Sequence, residues 1–137
     1  MKLILTIVIV CAISVGTARA ADFKIIANVS IKADSVSADE LKRIFLATAT
    51  SLGGSHVEPV LEKSGAAHDA FLKEYVGKTD AALVTYYRSL VFTGKASMPK
   101  QLGSDADVVA YVAKTKGAVG YVGAATEAAD VKVLEVK

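Results

Sequence analysis

Short β-branched runs alternate along this chain with segments that open on a capping residue and continue with apolar side chains at helical spacing, which restricts it to a layered α/β architecture. Ser37-Ala38-Asp39-Glu40 opens the first helical segment. There the Ser hydroxyl can accept from the amide three residues on while the Glu reaches back to the cap amide. Leu41, Ile44 and Phe45, with Thr48 at the margin, then share one face of a helix of about three turns. Gly53 and Gly54 close this unit. Ala67, Phe71, Leu72 and Tyr75 make a second stripe that stops at Gly77. Thr79 or Asp80 caps a third helix through Leu83, Val84, Tyr87, Leu90 and Val91, closed by Gly94 and a loop from Lys95 to Gly103 around Pro99. Ser104-Asp105-Ala106-Asp107 starts a fourth, through Val108, Val109, Tyr111 and Val112, and Lys114, Lys116 and Gly117 suit the negative end of its dipole. Strands are expected at 22–29, 56–61, 118–123 and 131–136, the second at an edge or a strand end because Pro59 lacks a ladder donor. The expectation is a mixed or largely parallel sheet flanked by helices.

The first twenty residues follow another rule. Lys2 precedes an unbroken apolar run from Leu3 to Ile13, and small residues lead to Ala18-Arg19-Ala20, the order of a cleavable signal peptide cut after Ala20. The run is shorter than the roughly 20 residues of a membrane span, and Arg19 interrupts its end. Cys11 follows Val10, where a lipid-attachment site requires a small residue, so lipidation is not expected. The domain is thus residues 21–137, working in the periplasm. Of the 16 basic groups, Lys2 and Arg19 lie in the leader, so 14 remain against 14 acids and the net charge is zero. That balance gives no basis for nucleic-acid binding. Cys11 is the only cysteine, so the domain carries no disulfide.

Enzymatic patterns are thin. The domain has no cysteine nucleophile and no G-x-S-x-G elbow, and His56 and His68 have no metal-ligand spacing. Neither an enzyme nor a metal or other cofactor is expected. Ser64, His68 and Asp69 crowd one helical turn and cannot aim at one another as a hydrolytic relay. His56 reads as a solvated loop residue, and His68 as an exposed or capping one. Small residues at Ser64-Gly65-Ala66-Ala67, just before a helix, leave backbone amides open at the positive end of its dipole, where an anion can sit. Ser64 adds a hydroxyl donor, Gly65 allows close approach, and a protonated His68 would add charge. An ordinary helix start accounts for the same residues.

Six stretches in order, ADELKRIFLA (38–47), GSHVEPV (54–60), SGAAHDAFLKEYVGK (64–78), YYRSLVFTGKASMP (86–99), GSDADVVAYVA (103–113) and GAVGYV (117–122), carry a resemblance. The chain resembles the phosphate-binding-protein-like domains of bacterial ABC importers, in the type 2 periplasmic-binding-protein group, over residues 22–136. Full-length members have two α/β lobes closing over the anion, so the resemblance implies a single lobe with its hinge. It also implies that phosphate or a similar oxyanion is held at Ser64, Gly65, Ala66, Ala67 and His68, with Arg88 as a compensating cation or merely a solvated helix residue. Aligned without a gap from Phe71, the family's Ser falls on Gly65, its Thr on Ala67 and its Arg on His68. Two hydroxyls and a guanidinium are then missing, or Ser64 serves with the turn shifted by one residue. Two readings follow: a solute-binding domain serving an ABC permease, or a lobe that has lost its anion and meets another periplasmic protein or a second copy of itself.

Overall fold

The computed structural model describes residues 23–137, so the leader and its cleavage point lie outside the described residues. In chain order the elements are β1 (Phe23–Ala27), β2 (Ser35–Val36), α1 (Ala38–Phe45), β3 (Ser51–Leu52), β4 (Ser55–His56), β5 (Glu58–Glu62), α2 (Ala66–Phe71) running on into a π-helical turn (Leu72–Val76), α3 (Asp80–Phe92), β6 (Lys100–Leu102), α4 (Asp105–Lys114), β7 (Ala118–Gly123) and β8 (Lys132–Val136). Six strands form one mixed sheet in the order β2-β8-β1-β7-β5-β6, and β3 and β4 form a separate hairpin. β1 runs antiparallel to both β7 and β8, whereas β5 runs parallel to β7 and β6.

Period-two alternation sorts the core into two layers. Phe23, Ile25, Ala27, Val119, Tyr121 and Leu61 face α1, α2 and α3, while Ile26, Val60, Ala118 and Val122 face Val108 and Val112 of α4. Each fully buried aliphatic side chain among these contributes about 1.5–3 kcal/mol. Gly120 lets α4 lie close to the sheet, since a Cβ there would stand 3.0 Å from Val108 Cγ1. On the other face α3 is tied to α1 through the last carbonyls of the shorter helix: the Tyr86 hydroxyl donates to the Leu46 carbonyl at 2.6 Å and the Tyr87 hydroxyl to that of Phe45. Buried Asn28 fastens the end of β1 to the end of α4, its amide donating to the carbonyls of Val112 at 2.7 Å and Ala113 at 3.2 Å.

Three expectations change. The loop expected from Lys95 to Gly103 contains β6, an edge strand held by β5 despite its polar Lys100 and Gln101. The strand expected over 56–61 divides: Ser55 and His56 pair with β3, while Pro59 stands at a strand end, as one of its two expected positions, near the start of the interior strand β5. Proline is accommodated there because pairing with β6 begins only at Val60. His68, expected at the surface or as a cap, is 1% exposed.

Candidate functional site

β5 ends at Glu62, and the chain turns through Lys63 and Ser64 into α2. Among the described residues, three of the four α-helices start on a hydroxyl: Ser37, Thr79 and Ser104 accept from the amides of Glu40, Ala82 and Asp107 at 3.1–3.2 Å. α2 starts on Gly65, which has φ 119° and ψ 169° and no side chain with which to cap. That backbone region is essentially reserved for glycine. The first intrahelical bond is Asp69 N–H to Gly65 C=O at 3.0 Å. The amides of Gly65, Ala66 and Ala67 therefore lack an acceptor among the described residues and point out of the helix start. Ser64, Gly65 and Ala66 are exposed, and Lys63 beside them is exposed as well.

Under this turn lies a buried polar chain. Glu62 N–H donates to the Tyr121 hydroxyl at 3.0 Å, and that hydroxyl meets His68 Nδ1. His68 Nε2 faces Asp80 Oδ1 at 2.8 Å. Donor bookkeeping fixes one consistent arrangement: Nε2–H donates to the carboxylate, and the Tyr121 hydroxyl donates to Nδ1 while accepting from Glu62. A neutral imidazole satisfies every partner. His68 thus supports the turn from below, with both ring nitrogens engaged by Tyr121 and Asp80.

The Glu62 side chain is buried among the ends of β5, β7 and α4. It is 4% exposed, and its Oε1 has no hydrogen-bond partner among the described residues. Its Oε2 lies 4.0 Å from where a Cβ on Gly65 would stand, so the carboxyl sits directly against the start of α2. Burial, and secondarily the neighbouring Asp105 carboxyl, pushes its pKa up to about 8. Asp105 moves the other way: a hydrogen bond from the Glu62 carboxyl holds its pKa below the usual carboxylate range, assisted by Thr126 and Gly123. Thr126 Oγ1 and Gly123 N–H donate to Asp105 Oδ2 at 2.5 and 3.0 Å. The pair therefore holds one proton at neutral pH, on Glu62.

Of the six residues singled out by sequence, the structure gathers Ser64, Gly65 and Ala66 into one exposed turn, buries Ala67 at its base and places His68 beneath it. Arg88 is elsewhere. It is exposed on α3, eight residues or ~12 Å of helix beyond the Asp80 that touches His68. Its neighbour Tyr87 lines a cleft with Glu58 and Pro59, at the opposite end of β5. Glu62, Tyr121 and Asp105 were not foreseen.

No protein-family model matches the chain, and no curated protein does. Solved structures do match. One described as an ABC-type phosphate transport receptor from Vibrio cholerae superposes with a TM-score of 0.64 and 16% identity, over 84% of this chain and 46% of its own. PstS from Borrelia burgdorferi gives 0.64 and 14%, over 85% and 47%. A Clostridium perfringens structure, described as that of a phosphate ABC transporter substrate-binding protein with bound phosphate, gives 0.64 and 18%, over 84% and 44%. The chain spans less than half the length of each. A layered mixed sheet of this topology, matched over most of its length by under half of each larger protein, has the fold of a single lobe of the type 2 periplasmic binding proteins.

Proposed function

We propose that this domain is a periplasmic solute-binding component that holds phosphate or a similar oxyanion at the start of α2, without turnover, and passes it to an ABC permease. The observation that carries this reading is the uncapped start of α2: three unfilled amides follow the exposed Ser64 in a fold shared with phosphate-transport receptors. Each charge-assisted hydrogen bond made there is worth about 1.5–3 kcal/mol. Glu62, protonated at neutral pH with its proton directed to Asp105, places no repelling charge against the turn. Lys63 is the cation adjoining the turn in sequence, so binding is weaker than at a site with a buried guanidinium.

Isothermal titration of residues 21–137 with phosphate at pH 6 and pH 9, with sulfate for comparison, tests this. Saturable heat at pH 6, reduced by Ser64→Ala and weakened at pH 9 where Glu62 is ionised, is expected. Absence of heat at millimolar phosphate at both pH values would refute it.

A further inference from the structure

The end of β5 opposite Glu62 carries a second concave feature. A cleft of about 500 Å³ opens between the end of α1, the β3–β4 hairpin and the segment joining α3 to β6. Four strand steps, ~13 Å, separate its Glu58 from Glu62, so it is distinct from the turn at α2. Its floor is apolar, with Ile44, Tyr87 and Pro59, and Met98 stands at its rim, 42% exposed. At the end of α3, just before that segment, Phe92 is 93% and Val91 45% exposed. Isolated exposed apolar residues are ordinary, but Met98 on an apolar cleft, with Val91 and Phe92 a few residues before it in the chain, forms a surface suited to a partner.

Charge indicates what kind of partner. Residues 81–104 contain Arg88, Lys95 and Lys100 and no acid. All three are exposed, and none is in an ion pair among the described residues. Lys95 and Lys100 line the cleft, and Lys100 Nζ lies 5.9 Å from the Tyr111 ring centroid. Glu58 and His56 on the opposite wall leave the cationic side in excess. A second copy would bring like charges together across a two-fold axis, and a flat bilayer would leave the cleft unfilled.

We propose that the α3 end and its cleft form a docking face for an acidic protein segment that inserts one apolar side chain between Met98, Tyr87 and Pro59 while its carboxylates meet Lys95 and Lys100. This inference stands apart from anion binding at α2. The face acts as other charged grooves with an apolar anchor do: the anchor supplies most of the affinity and the lysines steer and orient the partner.

The test is fluorescence anisotropy of the purified protein with a labelled twelve-residue peptide of mixed Asp and Glu around a central Leu-Phe pair. A matched peptide with Ser in place of Leu-Phe and another with Lys in place of the acids serve as comparisons, and phosphatidylglycerol vesicles are tested by co-sedimentation. Saturable binding of the acidic apolar peptide is expected, weakened roughly tenfold by Phe92→Ser and by the double change Lys95→Glu, Lys100→Glu, and weakened again by raising salt. These positions are exposed, so circular dichroism should be unchanged. Absence of peptide binding, equal binding of the comparison peptides, or indifference to the substitutions would overturn the proposal. So would binding to the vesicles alone, or self-association abolished by Phe92→Ser without any peptide binding.

Discussion

Replacing Glu62 with Gln isolates the one buried acid at the α2 start and makes a stability measurement report its protonation. In the folded chain its pKa is pushed up to about 8 from an ordinary 4.5, mainly by burial and secondarily by Asp105. Between those values the folded protein keeps a proton that the unfolded chain has released. Stability must therefore fall as pH rises through the window from about 4.5 to 8, with a slope of up to ~1.4 kcal/mol per pH unit. The full shift corresponds to at most ~5 kcal/mol. Because Ser64 and Gly65 beside the carboxyl are exposed and admit water, we expect about 2–3 kcal/mol of it to be realised. Gln keeps the shape and neutrality of the protonated acid but has no proton to lose. His68 and its Asp80 partner remain in both proteins, so the difference between the two curves belongs to Glu62 and its Asp105 neighbour. Urea denaturation at pH 5, 6, 7, 8 and 9 should show Glu62→Gln close to the parent at pH 5 and about 2–3 kcal/mol more stable at pH 9. Parallel curves across that range would refute the shared-proton arrangement.

Other substitutions test the elements that position the site. Tyr121→Phe removes the hydroxyl joining Glu62 N–H to His68 Nδ1, and leaving both buried groups unpaired should cost about 1–3 kcal/mol by urea denaturation. Asn28→Ala breaks two side-chain bonds to the end of α4 and the 2.9 Å bond from Ser30 N–H, for a loss of about 2–3 kcal/mol in the same assay. Gly65→Ala has room for its Cβ but forces a φ of 119° on an L-residue, so it should lower stability by about 1–3 kcal/mol and weaken phosphate binding. A neutral effect on both would show that the turn relaxes without consequence.

Much of the scaffold is legible in the chain because its signals are local. Ser37, Thr79 and Ser104 cap the helices where hydroxyl-first spacing places them, and Gly77 ends the second helical segment with φ 71°. β1, β7 and β8 follow from apolar alternation. β6 is less visible, since Lys100 and Gln101 gain their strand geometry from β5 and not from their own propensity. The polarity of His68 suggests exposure, but its helical phase buries it. It stands three and four residues before Phe71 and Leu72, on the buried face of α2. Glu62 escaped notice for a different reason. Its partners Asp105 and Tyr121 come from α4 and β7 and meet it only once the sheet has formed, so no spacing rule brings them together. Arg88 has the charge an anion site wants, but it stands exposed on α3 eight residues beyond the Asp80 that touches His68.

The most direct test of anion binding at α2 is a phosphate titration of uniformly nitrogen-15-labelled residues 21–137 at pH 6.5, followed by amide chemical shifts. Saturable movement of the Gly65, Ala66 and Ala67 amides with a common dissociation constant, lost on Ser64→Ala, is the predicted result. Unmoved amides in that turn at millimolar phosphate, or shifts confined to other parts of the domain, would contradict the account.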